Sequence, residues 1–458
     1  MATLLPRRIF GIETEYGITC SIDNNRRLTP DELARYLFAD IVDEYRSNNV
    51  FLPNGGRLYL DVGSHPEYAT AECDSLADVL AQEKAGDQIV ADMAKQAQVK
   101  LASEGMEGRV YVFKNNTDSS GNSYGCHENY LIHRKLDYLK HLDGLLPFLV
   151  TRQLFAGAGK LLKTSTGIVY VLSQRADHMW DAVSSATTRS RPMINTRDEP
   201  HANSDKYRRL HVISGDSNMS EISMLLKVAT MDLLLAVMEI GAIPSDLRVE
   251  NPMKAIRDVA RDLDGSASVS LQDGLTMSAV EIQRTYYELV SANIHRFDWE
   301  LSNLHKKALI LWGQIIEAFE NGDLSEFDSV LDWRIKLQIL TAYRLEQGLL
   351  LDSAKLAQVD LMYHELSPDR GIYNLLVAQG RVPVILSAGN IDDAVATPPQ
   401  TTRAKLRGDF LAAAKVKKSS IATDWMHLKV NLPVERGVSL PDPFNSQDER
   451  VTDLISQL

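Results

Sequence analysis

Glu13 and Glu15 stand in a stretch where Phe10, Ile12, Thr14, Tyr16 and Ile18 alternate with Gly11, Glu13, Glu15 and Gly17. Alternation with period two puts every second side chain on one face of a strand, so both carboxylates project from the same side. The segment Arg57-Leu58-Tyr59-Leu60-Asp61-Val62 repeats the pattern, with Arg57, Tyr59 and Asp61 opposite Leu58, Leu60 and Val62. If the two strands share a sheet with their polar faces on one side, the oxygens of Glu13, Glu15, Tyr59 and Asp61 converge. Such a cluster suits Mg²⁺, a hard ion that keeps several waters and completes its shell with nucleotide phosphates. The same alternation also describes an antiparallel sheet whose outer face is simply wet.

His65-Pro66-Glu67-Tyr68-Ala69-Thr70-Ala71-Glu72 adds the carboxylates of Glu67 and Glu72 and a hydroxyl within a few residues of Asp61. Strict alternation cannot place Glu67 and Thr70 on one face, so either a bulge intervenes or Glu67 precedes the strand. A second, basic set comprises Arg175, Arg197, His201, Arg208, Arg209 and His211. Arginine forks match phosphate or carboxylate oxygens, and a neutral histidine ligates metal or bonds phosphate. Each of these also reads, alone, as a solvated or salt-bridged residue. Gly157-Ala158-Gly159-Lys160-Leu161 is no P-loop, because Leu154 and Leu161 replace the leading glycine and the Ser/Thr. An ATP site in this chain would therefore lie on an open sheet.

The elements that must position these groups are legible in outline. Thr29-Pro30-Asp31-Glu32 offers an N-cap, a proline at the first helical position and an acidic residue three places on, which opens a helix ending near residues 47–49. A long helix is expected over residues 75–102, a strand over 109–113, a polar loop over 115–125 and a strand over 127–132. Strand-like stretches follow at 168–172 and 210–213. Residues 279–366 carry helical spacing and read as a scaffold. The tract 224–243 is the most apolar, but Lys227, Asp232 and Glu239 interrupt it, far short of the roughly 20 charge-poor residues that span a bilayer. It reads as a buried helix. Pro398-Pro399 marks the clearest composition break.

The 458 residues are 44% hydrophobic and 24% charged, as in ordinary globular proteins. With 49 Lys+Arg against 61 Asp+Glu the net charge is -12, which argues against nucleic acid and anionic membranes as partners. Three cysteines, with no C-x-x-C pair, form neither a disulfide framework nor a zinc site and suit a reducing cytoplasm. The opening MATLLPRRIF lacks the order of a secretory signal.

Longer motifs carry a resemblance. Gly11-Ile12-Glu13-Thr14-Glu15-Tyr16-Gly17, Asn54-Gly55-Gly56-Arg57-Leu58-Tyr59-Leu60-Asp61, His65-Pro66-Glu67-Tyr68, His127-Glu128-Asn129-Tyr130, Asn195-Thr196-Arg197-Asp198-Glu199-Pro200-His201 and Asp424-Trp425-Met426-His427-Leu428-Lys429 closely resemble the Pup ligase family. The resemblance implies an α+β fold: a large glutamine synthetase-like domain, residues 1–390, whose curved antiparallel sheet cradle is packed by helices, and a small C-terminal domain, residues 391–458. It implies an ATP-dependent enzyme that joins the γ-carboxylate of the C-terminal glutamate of Pup, a small ubiquitin-like protein, to lysines of proteins destined for the proteasome. A γ-glutamyl phosphate would be the intermediate. The family's positions put Glu13, Tyr59 and Glu67 on Mg²⁺, Arg57, Thr70 and Trp425 on ATP, and Asp61 as the catalytic base, with a simple metal ligand as the alternative for Asp61. His127, Arg175, Arg197 and His211 match positions around the phosphates and metals, Arg197 on the nucleotide side and His211 on the metal side. Pup is acidic, so a local basic groove is expected, with Arg189, Arg191, Lys206, Arg208, Arg209, Arg403, Lys405 and Arg407 as candidates by composition alone. The sister family of Pup deamidases typically reads Gly-Thr-Glu-Val-Glu-Tyr-Gly at the first strand and inserts a long loop before the Arg-Leu-Tyr strand; this chain has neither feature.

Overall fold

The alternation over residues 10–18 does not survive as one strand. Phe10–Glu15 enters the main sheet, whereas Gly17–Ile22 pairs antiparallel with Gly108–Phe113 in a separate ribbon. The break falls at Tyr16, where Glu15 N donates to Gly125 O at 3.1 Å and Tyr16 N to Pro66 O at 2.9 Å. A Cβ at Gly17 would collide with the Tyr124 hydroxyl, so only glycine lets the chain leave the sheet there. The computed structural model describes residues 3–22, 28–61, 63–118, 120–134, 141–186, 191–244, 247–431 and 435–458.

The main sheet has eight strands, labelled here in chain order: β1 Phe10–Glu15, β2 Asn49–Phe51, β3 Arg57–Asp61, β4 His65–Ala69, β5 Cys126–His133, β6 Asp181–Ser184, β7 Pro192–Asn195 and β8 Tyr207–Val212. Val62, expected in β3, lies outside the described residues. The spatial order is β6-β7-β8-β5-β1-β4-β3-β2, antiparallel throughout except for the parallel pair β6-β7. With its helices the molecule is α+β.

One face of the sheet is apolar. Phe10 and Ile12 of β1, Tyr130 and Ile132 of β5 and Leu210 and Val212 of β8 are buried in the larger core cluster. The helix Glu221–Glu239 belongs to the same core, and every residue from Glu221 to Met238 is buried. The charges that disqualified it as a membrane span are paired inside: Arg8 meets Asp232 at 2.8 Å and Glu239 at 3.0 Å, and Lys227 donates to Asp216 O at 2.8 Å. Among the described residues no helix is long and apolar enough to cross a membrane.

Helix Leu76–Ser103, capped by Ser75, runs where expected. The Thr29 capping box also forms, but the helix it opens is interrupted at buried Phe38, giving Pro30–Leu37 and Ala39–Tyr45. The scaffold of residues 279–366 comprises helices Ala279–Phe297, Asn303–Asn321, Asp332–Gln347 and Ala354–Met362. Beyond Pro398-Pro399, helix Arg403–Lys417, a three-stranded sheet and helix Glu449–Ser456 enclose a separate apolar cluster built on Leu406, Phe410, Leu428, Val430, Val451 and Leu454.

Candidate active site

The polar face of the sheet is assembled by cross-strand register. Glu13 lies opposite Ala69 of β4 and His127 of β5, Glu15 opposite Glu67, and Glu67 in turn opposite Tyr59 of β3. Asn129 lies opposite His211 of β8. Directly opposed residues share a face, so five adjacent strands aim carboxylates, imidazoles and a phenol at one place.

Two donor groups result. The ligand atoms of Glu15, Asp61 and Glu67 lie within 4.8 Å of one another, and so do those of Glu13, His127 and His211. The first group is all oxygen; the second mixes nitrogen with oxygen. Glu13 Oε2 is 3.1 Å from His127 Nδ1 and 3.7 Å from His211 Nε2, while its Oε1 accepts from Asn129 Nδ2 at 3.1 Å. Burial opposes the charge of Glu13, but the hydrogen bond from His127, with Arg209 nearby, outweighs it and holds the carboxyl well below the usual range. An ionised carboxylate only accepts, so His127 Nδ1 carries the hydrogen, and in the neutral ring Nε2 is the lone pair. A Cβ at Gly125 would fall 2.7 Å from Glu15 Oε1 and closer still to His127 Nε2, so both atoms face the bare backbone at that glycine.

Burial, then Glu13 and Glu15, push the carboxyl of buried Glu67 well above its ordinary value. Burial together with Glu13 and Glu67 pushes the Tyr59 phenol up too, so it stays protonated and donates to Glu67. Burial drives His211 down to about 3, leaving it neutral, and its Nε2 has no hydrogen-bond partner. Crowded carboxylates and an unfilled imidazole nitrogen are what a divalent cation would satisfy. The residues present therefore fit Mg²⁺.

The nucleotide-side residues flank this cluster. Thr70 and Glu13 line one cavity with Gly11, Asn129, His201 and Trp425. A wider cleft shares His201 and Trp425 with that cavity and adds Phe51 and Arg57. Thr70 owes its place to a bulge: Glu13 opposes Ala69 but Phe10 opposes Cys73, one residue more on the second chain. Within the bulge Ile12 N donates to Thr70 Oγ1 at 3.0 Å instead of to a carbonyl, leaving the hydroxyl hydrogen available. Trp425 packs edge-on against Phe51 at 4.9 Å, and the Arg407 guanidinium lies 4.9 Å from its ring centroid. Arg57 donates to Asn49 Oδ1 at 2.9 Å and lies 4.5 Å from the Tyr59 ring centroid. Arg175 is buried, donates to Tyr124 O and feels Glu15. Arg197 stands apart: its exposed side chain pairs with Glu199 at 2.6 Å, and Glu199 in turn lies 3.7 Å from Arg209.

The proposed basic groove fares differently. Arg403 and Arg407 are buried against Glu72, Lys405 pairs with Asp409 at 2.5 Å, and Arg208 faces Asp198 at 3.7 Å. Arg209 belongs to the site, donating to Asn129 Oδ1 at 3.0 Å. Arg403 and Arg407 are thus committed to an internal partner rather than to an open groove, whereas the pairs of Lys405 and Arg208 lie partly exposed; Arg189 lies outside the described residues. Asn129 itself was given no role from sequence, although it sits two positions from His127, which was; Arg209, named in the basic set, does join the site.

A family model for Pup-ligase protein matches residues 8–429. This chain belongs to the Pup ligase family. The Pup–protein ligases of Actinosynnema mirum and Nakamurella multipartita are each 52% identical to it over 454 residues, 99% of this chain and 100% of theirs. The Pup ligase PafA, solved in complex with the prokaryotic ubiquitin-like protein Pup, superposes with a TM-score of 0.94 at 46% identity, over 99% of this chain and 92% of that one. PafA in complex with ADP superposes with a TM-score of 0.86 at 47% identity, over 95% and 96% of the two chains. The likeness to these Pup ligases thus extends across both the main sheet and the C-terminal segment.

Proposed function

We propose that this protein is an ATP-dependent ligase that joins the γ-carboxylate of the C-terminal glutamate of Pup to lysine ε-amines of target proteins, marking them for proteasomal degradation. The observation that carries this reading is the likeness, over 99% of the chain, to PafA solved with Pup. The likeness to PafA solved with ADP supports ATP as the co-substrate, and the clustered carboxylates support Mg²⁺. Three free cysteines, Cys20, Cys73 and Cys126, suit the cytoplasm. The separate apolar cluster of the C-terminal segment supports a division into a catalytic unit, residues 1–390, and a small unit, residues 391–458.

In this reading an oxygen of Pup's γ-carboxylate bonds to the γ-phosphorus of ATP as the bond to the bridging oxygen breaks, giving a γ-glutamyl phosphate and ADP. The lysine nitrogen then attacks the acyl carbon, phosphate departs and an isopeptide bond remains. Mg²⁺, when bound, supplies charge neutralisation around the outer phosphates. Glu13, Tyr59, Glu67 and His211 would hold it. Arg57, Thr70, Trp425 and Arg197 are the nucleotide contacts of this reading, with Thr70 offering its free hydroxyl hydrogen. Arg175 adds a cation beside Glu15, where transferring phosphoryl charge needs one. A lysine ammonium, with an ordinary pKa of about 10.4, must lose a proton before it attacks, and Asp61 takes that proton on its carboxylate.

The test is to incubate the protein with Pup ending in glutamate, ATP, Mg²⁺ and a lysine-bearing acceptor, and to look for conjugate by gel and mass spectrometry. A conjugate with ADP and phosphate as by-products is expected. Hydrolysis of Pup ending in glutamine, with no conjugate formed, would transfer the protein to the deamidase reading.

A further inference from the structure

The segment that carries Arg175 is wrapped around one buried carboxylate. Asp216 is 3% exposed, and its Oδ1 accepts from Ser173 Oγ at 2.9 Å and from Arg175 N at 3.1 Å. Its Oδ2 accepts from Ala158 N at 2.9 Å and from Gln174 N at 3.0 Å. Two donors on each oxygen use the carboxylate's acceptor capacity in full, so residues 173–175 take their path from this one side chain. Asn116 braces the same segment: its N donates to Gln174 Oε1 at 2.8 Å, and its Oδ1 accepts from Ser217 N, next to Asp216, at 2.7 Å.

Arg175, at the end of that segment, is 2% exposed, donates Nη1 to the carbonyl of Tyr124 beside Gly125, and keeps Nε without a partner. Burial works against its charge, while Glu15 and Asp216 favour it. A desolvated guanidinium with an unfilled donor, beside a carboxylate of the cation cluster, is set for an anionic oxygen. We infer that Asp216 is a positioning residue: its carboxylate fixes the backbone of residues 173–175 so that Arg175 is presented to the transferring phosphoryl group beside Glu15. The inference rests on the ligase reading, which puts a phosphoryl group there. Asp216 touches no substrate and acts through Arg175.

The experiment is a double-mutant cycle on conjugation by the full chain, using Asp216→Asn, Arg175→Ala and the double variant, with kcat and the KM for acceptor protein measured separately. An amide in place of the carboxylate turns one oxygen into a donor facing N–H groups. Asp216→Asn should lower kcat about ten- to a hundredfold, the loss expected when a reacting group shifts by about 1 Å, and leave the acceptor KM unchanged. Adding Arg175→Ala should then cost less than about threefold more, because both changes remove one effect. Multiplicative losses, or an unchanged kcat in Asp216→Asn, overturn the inference. If Asp216→Asn does not fold, Ser173→Ala takes its place in the cycle, since Ser173 Oγ bonds both Asp216 Oδ1 and Arg175 N. Absence of conjugate from the wild type overturns the ligase reading and this inference with it; wild-type conjugation with multiplicative losses overturns the inference alone.

Discussion

Glu72 is ion-paired with Arg407, 335 positions further along the chain, and Arg403 joins the pair at 2.7 Å. This buried triad ties the segment that follows β4 to the helix Arg403–Lys417. Burial opposes the charge of Glu72, but the two guanidiniums outweigh it and hold the carboxyl down at about 2, from an ordinary 4.5. A depressed carboxyl contributes stability that is present above the unfolded value and lost as pH falls towards the folded one. The docking of the C-terminal helix should therefore weaken as pH drops from 4.5 to about 2. Glu72→Gln should cost about 3 kcal/mol at neutral pH, because it leaves two buried cations without a counter-charge. It should also flatten the acid limb of a Tm-against-pH profile, and an unchanged slope over that window would refute the account.

Asp61→Asn should lower kcat for conjugation by about 10²- to 10⁴-fold, the range for loss of a positioned base, while nucleotide affinity changes less than about threefold by calorimetry. Undiminished conjugation would remove Asp61 from the base role. Equal losses in rate and nucleotide binding would make it a cation ligand instead.

Gly125→Ala drives a methyl between Glu15 Oε1 and His127 Nε2. Overpacking of this kind costs about 1–3 kcal/mol, and Glu15 and His127, which neighbour the proposed Mg²⁺ holders Glu67 and Glu13, must part. Conjugation should fall about a hundredfold with the circular dichroism spectrum preserved. The concentration of Mg²⁺ needed for half-maximal rate should rise. Wild-type Mg²⁺ dependence in a folded variant would contradict a cation site that adjoins these two side chains.

Trp425→Ala removes the ring that packs on Phe51 and under Arg407. Loss of an aromatic platform for a base is worth about 1–3 kcal/mol, so the KM for ATP should rise about tenfold, with kcat held within about threefold. A fall in kcat at saturating ATP, with KM unmoved, would assign the tryptophan elsewhere.

The direction of the acidic side chains was legible because alternation is a local property: Glu13 and Glu15, and Tyr59 and Asp61, needed only their own strands. Asn129 follows the same parity as His127, yet an isolated asparagine reads as surface. Its meaning depends on β5 pairing with β8 and on Asn129 opposing His211, a contact between distant segments. The break at Tyr16 was hidden for a related reason. Alternation continues through it, and what ends the strand is a pair of backbone bonds to Gly125 and Pro66. Arg403 and Arg407 read as candidates for a basic groove because their counter-ion is more than 300 positions away. Local pattern reveals which way a side chain points, but not which remote segment arrives to meet it.

The extra residue between Ala69 and Cys73 changes the count on which the whole arrangement depends. Upstream of it the odd-numbered positions of β4 look toward the cation cluster; within it, Thr70 and Glu72 line the cavity beside that cluster together with Ala69 and Ala71. Removing a single codon here would exchange inside for outside along the rest of the segment and leave Ile12 N without its hydroxyl acceptor. Spacing in this stretch is thus as binding as residue identity. Grafting the site onto another sheet would require both strands together, irregularity included.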